Sequence, residues 1–304
     1  MGIEAEVTLV SIGGADFMRC EAGTLTEEQL STLRQHSSML LACRQEGEAL
    51  YPQPALPESY LPEDFPEILK YKGKTSVPFT KLLMNLAWCV CDAFPKQDVL
   101  TVLDPMCSKG TTLYCALQRG WNAIGLDKDE GDLTEADRFV EKYLQFHQLK
   151  HSREKSSLTA GGKGVQQITY SLANSKEAFK AGDTRFLQMI HADGAEAARL
   201  LKKKKVHMVV ADLPYGIQHA PLAGQKPESF THMLQRMLPQ WREALVPGGT
   251  VALSFNELTL KRSQVLELMA AAGLSPMTGG PWEDFLHPVE QAVNRNLAVG
   301  KKTI

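Results

Sequence analysis

Apolar residues recur at steps of three and four from Pro78 onward. Phe79, Leu82, Leu83, Leu86, Ala87, Val90 and Phe94 fall on one side of a 3.6-residue repeat, which predicts an amphipathic helix. The period then changes. VLTVL (99–103), NAIGL (122–126), VHMVV (206–210) and TVALSF (250–255) are short apolar runs with no regular polar side, as expected of strands buried on both faces. Helical patterns separate them: TTLYCALQRG after the first strand, LTEADRFVEKYLQF (133–146) after the second, and SFTHMLQRMLPQWREAL (229–245) after the third. VPGG (246–249) marks a turn into the fourth strand, SQVLELMAAAG (263–273) is a further helix, and NRNLAVG (294–300) reads as a last strand. This alternation predicts an α/β fold, a Rossmann-like, doubly wound and mostly parallel sheet with helices on both faces.

Two segments fall outside the rhythm. YPQPALPESYLPEDFPE (51–67) holds five prolines and reads as an extended connector. It sets a soft boundary between a small N-terminal extension, 1–70, and a main domain, 71–304. Within the extension, EVTLVSIGG and SMLLACRQ read as strands, and TEEQLSTLRQ as a helix capped by Thr26. The second segment, 147–179, is polar, carries Gly and Ser, and is basic at its start. A loop of that length is either a mobile surface insertion or an element that touches substrate. LKKKK (201–205) reads as a solvated helix end.

Composition narrows the function. A formal net charge of −2 over 304 residues gives no global field for nucleic acid, although a local patch would suffice. The longest apolar stretches fall well short of the roughly 20 residues that cross a bilayer, and MGIEAEVTLV lacks the basic start of a signal peptide. The six cysteines have no zinc-ligand spacing and read as buried reduced thiols. A cytoplasmic protein with no metal and no membrane partner is expected.

Candidate chemistry sits at the ends of the strands. In VLTVLDPMCSKGTTL (99–113) an apolar strand ends at Asp104, a turn runs to Gly110, and a helix begins. Ligands of open α/β sheets bind beyond the carboxyl ends of the strands, where the first helical amides are free. About twenty residues on, NAIGL ends in Asp127, which suits two ribose hydroxyls. The dinucleotide signature G-x-G-x-x-G and the P-loop are both absent. A ribose without a phosphate to cradle points to S-adenosyl-L-methionine. AGDTRFL (181–187) adds Asp183, following a Gly and expected to precede a helix.

DLPYG (212–216) follows the strand VHMVV. Asp212 and the carbonyl of Leu213, fixed by Pro214, make two acceptors for one –NH2 group, and Tyr215 offers a face for a base worth roughly 1–3 kcal/mol. An aryl-type amine is a weak nucleophile, so positioning and electrostatics carry the transfer.

DPMCSKGTT, GLDKD, GDTRF and DLPYG, in this order, resemble the motifs of class I S-adenosylmethionine-dependent amino-methyltransferases. Within these the chain is most similar to the tRNA guanosine-N2 methyltransferase group, over roughly residues 74–300. The resemblance implies that Asp104, Pro105, Met106, Cys107, Gly110, Thr111 and Thr112 line the cofactor's methionine end. It implies Asp127 with Lys128 at the ribose, Asp183 with Thr184 near adenine, and Asp212, Leu213, Pro214 and Tyr215 at the acceptor amine. YKGKTSVPFT (71–80) resembles the segment that covers the methionine moiety, through Lys74, Thr75 and Phe79, while Asn294 and Arg295 read as structural. Ser108–Lys109 stands where the family has Gly-Ser, and Leu213 where it has Pro. The extension is short and acidic for the THUMP-type RNA-binding module of tRNA enzymes. The acceptor implied is guanine N2 in RNA, tRNA-like; the alternatives are a small amine-bearing molecule, or no catalysis on an inactive cofactor-binding scaffold.

Overall fold

In the computed structural model, which describes residues 5–33, 35–53, 59–94, 99–160, 163–202, 204–214, 222–223 and 226–303, the apolar runs become the centre of one ten-stranded sheet. The chain divides into two compact units between Glu58 and Ser59. The smaller unit holds two antiparallel hairpins, β1 (Ala5–Ile12) with β2 (Ala15–Ala22) and β3 (Cys43–Glu46) with β4 (Ala49–Pro52), and the helix α1 (Glu27–Leu33). The strand expected from Ser38 starts only at Cys43.

The larger unit runs through α2 (Phe65–Ile68), α3 (Val77–Val90), β5 (Thr101–Asp104), α4 (Thr111–Gln118), β6 (Asn122–Asp127) and α5 (Glu130–Phe146). It continues through β7 (His151–Ala160), β8 (Lys163–Leu172), α6 (Lys176–Ala181), β9 (Arg185–His191), α7 (Ala197–Leu201) and β10 (Val206–Asp212). After a short β11–β12 hairpin (Leu222–Ala223, Lys226–Pro227) come α8 (Phe230–Ala244), β13 (Leu245–Asn256), α9 (Arg262–Ala271), β14 (Leu274–Pro276), β15 (His287–Glu290) and β16 (Val293–Lys302). No helix of the described residues is long and apolar enough to cross a membrane.

The sheet order is β14-β16-β13-β10-β5-β6-β9-β8-β7, with β15 on β16. Strands β13, β10, β5, β6 and β9 are parallel. The order reverses between β5 and β10, so their carboxyl ends flank a crevice. The doubly wound sheet expected from the sequence is therefore observed. Its faces explain the unbroken apolar runs: Val102, Ala123, Met208 and Val210 pack with α3, α4 and α5, while Leu103, Ile124, Val209 and Val251 pack with α7, α8 and α9.

Five further sequence expectations are corrected, the last of them for the cysteines. The boundary falls at 58/59 rather than 70, because Leu61 and Phe65 are fully buried in the larger unit; Phe65 lies 4.9 Å from Tyr114 and 4.6 Å from Tyr143. The proline-rich stretch is not wholly irregular: Pro52 ends a strand, and Pro66 occupies the first turn of α2, where a missing N–H is tolerated. The VPGG turn lies inside β13, which begins at Leu245.

The fourth correction concerns the polar segment 147–179. It forms the hairpin β7–β8, which adds two antiparallel strands to the edge of β9. Arg153 binds buried Asp137 of α5 through Nε at 2.9 Å and Nη2 at 2.5 Å, and the Tyr170 hydroxyl donates to the same carboxylate at 2.6 Å. Polar residues stay in this sheet because they are paired with each other. Among the cysteines Cys91, Cys107 and Cys115 are buried, but Cys20 and Cys89 are exposed.

Candidate functional site

Three aspartates end successive parallel strands at one rim: Asp104 on β5, Asp127 on β6 and Asp212 on β10. Asp104 is 4 % exposed. Burial pushes its carboxyl up to about 7, and the nearby carboxylates of Asp127 and Asp212 add to this, against hydrogen bonds from Thr112 and the Met106 N–H. Asp127 is also raised, first by burial, and its carboxylate accepts the Ser108 N–H at 2.6 Å and the Asp129 N–H at 2.9 Å.

The turn between β5 and α4 is tightly built. Gly110 has φ +94°, a conformation costly for residues with a Cβ. A Cβ there would also lie 3.0 Å from the Tyr114 hydroxyl. That hydroxyl is buried and has no hydrogen-bond partner among the described residues. Ser108 also sits at positive φ, +44°, where the resembling family has glycine. Its Oγ donates to Asp132 at 2.6 Å, an anchor that offsets the backbone strain. Lys109 does not point to solvent: it binds Glu135, lies 3.8 Å from Asp132 and sits 5.4 Å above the Tyr71 ring. Cys107 is buried against Gly125, where a Cβ would come within 2.6 Å of its Sγ, and burial holds its thiol well above the ordinary range. Pro105, Met106 and Thr111 belong to the same turn; the Thr111 hydroxyl pairs with that of Tyr71 at 2.8 Å.

The upstream segment divides. Thr75 donates to the Asp212 carboxylate and so joins the rim. Lys74 does not: its ammonium donates to the carbonyls of Pro66 at 2.7 Å and Leu69 at 2.9 Å, at the end of α2, where a cation satisfies helix-terminal carbonyls. Phe79 stacks under the Arg295 guanidinium, 4.1 Å from its ring, with His287 at 5.8 Å. These three residues form their own cluster at the start of β16.

In DLPYG, Leu213 is 1 % exposed and donates its N–H to the Ser254 carbonyl on β13 at 2.9 Å. The proline of the resembling motif is thus replaced by a side chain locked into the core beneath β10. Pro214 is half-buried. Tyr215 lies outside the described residues.

Asp183 and Thr184 are not brought to this rim. The expected helix after them is the strand β9, so both stand at its amino end. There Asp183 binds Arg185 at 2.6 Å, and its carbonyl accepts from Tyr60 at 3.1 Å. The acid at the carboxyl end of β9 is Asp193, which the sequence reading missed. Its turn packs into the site: the Ala192 N–H donates to the Asp127 carbonyl at 2.9 Å, and a Cβ on Gly194 would collide with the Pro105 carbonyl. Asp193 accepts from the Ala195 N–H, from Lys128 and from Arg236, each at 2.9 Å. Burial would raise its carboxyl, but these partners hold it below the usual range. The sign available in the sequence was the one already used at Asp104, Asp127 and Asp212, an acid just past an apolar strand.

No family model matches the chain, and no curated protein matches it. Solved structures resemble it at low identity. A TehB-like SAM-dependent methyltransferase from Corynebacterium glutamicum is 15 % identical, with 67 % of this chain and 80 % of that one covered and a TM-score of 0.39. TrmN from Thermus thermophilus is 18 % identical over 98 % of this chain, with a TM-score of 0.41. This chain spans 60 % of TrmN. Magnesium protoporphyrin IX methyltransferase from Synechocystis PCC 6803, with bound SAM, is 12 % identical over 78 % of this chain and 88 % of that one, with a TM-score of 0.45.

Proposed function

We propose that this chain is an S-adenosylmethionine-dependent N-methyltransferase acting on an exocyclic amine of a nucleobase. The observation that carries the reading is the convergence of Asp104, Asp127, Asp193 and Asp212 at the carboxyl rim of four adjacent strands. A cofactor that brings a sulfonium and an ammonium suits a rim where Asp104 is buried beside Asp127 and Asp212. The close-packed turn at Gly110 and the Tyr114 hydroxyl, which has no hydrogen-bond partner among the described residues, are consistent with a bound molecule along β5. In this reading Asp104 and the turn through Thr112 face the methionine end, Asp127 holds the ribose, and Asp193 takes the adenine role that the sequence motifs give to Asp183.

The cofactor supplies an electrophilic methyl group when bound. The chain's part is to hold the acceptor. Asp212, steadied by Thr75, and the Leu213 carbonyl accept the two N–H bonds of the amine and aim its nitrogen at the methyl. After transfer the nitrogen loses a proton, which Asp212 or water takes. Catalysis is then orientation plus charge placement.

The acceptor that the resemblance to the tRNA guanosine-N2 methyltransferase group implies is guanine N2 in RNA. One observation favours a second reading, a small amine. Of the basic residues that could grip a polynucleotide, Arg153 and Lys155 are engaged by Asp137, on β7, five strands from β10. Incubation with methyl-labelled cofactor and either total tRNA or a panel of small aryl amines tests both readings. Label in tRNA as N2-methylguanosine, lost in Asp212→Ala, supports the first. Label only in a small amine supports the second. No transfer to any acceptor, with the cofactor bound, refutes catalysis.

A further inference from the structure

The helix α8 grips the turn that carries Asp193 at two points. The Trp241 indole N–H donates to the Gly194 carbonyl at 3.0 Å, and Arg236 Nη1 donates to Asp193 Oδ2 at 2.9 Å. Arg236 is itself fixed from the other side. Its Nε and Nη2 form a two-pronged pair with Glu228, at 3.2 and 3.1 Å. The Glu228 side chain is only 1 % exposed, and it also takes His232 Nδ1 at 2.9 Å. A carboxylate so buried requires a cation and several donors. The guanidinium has a planar fork for one carboxylate and a remaining edge for another. Asp193 and Glu228 therefore share one arginine whose plane cannot turn without breaking three bonds.

This arrangement decides what Asp193 can recognise. Oδ2 is occupied by Arg236 and Lys128. Among the described residues Oδ1 receives only the Ala195 N–H, and a carboxylate oxygen can take a second donor. Held below the usual carboxylate range, the group stays ionised at neutral pH and can only accept. It would welcome an amino group on a purine ring and repel an exocyclic carbonyl oxygen at the same place.

We propose that Arg236 is a positioning residue that makes the cofactor pocket select a 6-amino purine over a 6-oxo purine, by locking Asp193 to Glu228. The inference rests on the methyltransferase reading, with Asp193 at the adenine edge. A merely structural ion cluster would stabilise the fold without affecting this choice.

The test measures dissociation constants of S-adenosylhomocysteine and S-inosylhomocysteine by calorimetry for the full chain, with thermal melts in parallel. The wild type is expected to prefer the adenosyl compound by at least about tenfold, the scale of one hydrogen bond to a charged group. Arg236→Ala is expected to reduce the ratio to roughly threefold or less, and Arg236→Lys to restore part of it. If Arg236→Ala does not fold, Arg236→Lys and Glu228→Gln carry the comparison, each with a reduced ratio expected. An unchanged ratio in a folded variant overturns the proposal, as does a wild type that binds both compounds equally. A wild type that binds neither refutes the underlying methyltransferase reading instead.

Discussion

Replacing Asp104 by Asn should make the protein more stable and less able to hold its cofactor, and the gain should depend on pH. The Asp104 carboxyl is raised from 3.8 to about 7 by burial, with Asp127 and Asp212 adding to it. Because the folded value lies above the unfolded one, the protonated side chain favours the folded state. Its contribution is fully present below about pH 4 and is lost as pH rises through about 7. Holding the ionised group in place costs about 2–4 kcal/mol at pH 8. The amide carries no charge and keeps an oxygen for the Met106 N–H or Thr112, at the loss of about 1 kcal/mol in hydrogen bonding. Urea denaturation at pH 4, 6 and 8 should find the variant slightly less stable than wild type at pH 4. At pH 8 it should be more stable by about 1–3 kcal/mol. A stability difference that stays constant across this range, or that moves toward the wild type as pH rises, would show that burial of the Asp104 charge does not set this pH dependence.

Other changes test separate parts of the rim. Asp193→Ala should weaken cofactor binding by about ten- to a hundredfold, whereas Asp183→Ala, at the opposite end of β9, should leave it within about twofold; equilibrium dialysis with labelled cofactor distinguishes them. Gly125→Ala would drive a methyl into Cys107 and Leu113 at 2.6 Å and should lower stability by about 1–3 kcal/mol, with Cys107→Ala restoring part of the loss in thermal melts. Thr75→Val removes the hydroxyl that bonds Asp212 and should lower kcat about tenfold with little change in the KM for cofactor. Equal loss in both parameters would show that Thr75 acts on cofactor binding instead.

Much of the architecture could be read from the chain because it rests on local, repeated signals. The runs at 99–103, 122–126, 206–210 and 250–255 alternate between the two cores, so each strand is apolar along its whole length. Strand β9 was missed because Gln188 interrupts its apolar run. That side chain is buried, and its amide donates to Gln167 on the neighbouring hairpin, a pairing that appears only once β8 lies alongside. Asp183 is read from the GDTRF motif with a helix expected after it, and the observed strand β9 instead leaves it at the amino end. The roles of Lys74 and Lys109 were equally hidden. The partners of Lys74 are carbonyls in α2 and just past its end, and those of Lys109 are carboxylates of α5. The alternation of strands with acids just beyond them was sufficient for Asp104, Asp127 and Asp212, which need no long-range contact to reach the rim.

Isothermal titration of S-adenosylmethionine into the wild type and into Asp127→Ala tests whether the rim of aspartates holds that compound. Saturable heat is expected for the wild type, with a dissociation constant in the range of about 1–100 micromolar. Binding to the variant should be at least about tenfold weaker, through loss of the ribose contacts. Absence of saturable heat at millimolar ligand, or equal affinity of the two proteins, would contradict that role of the rim.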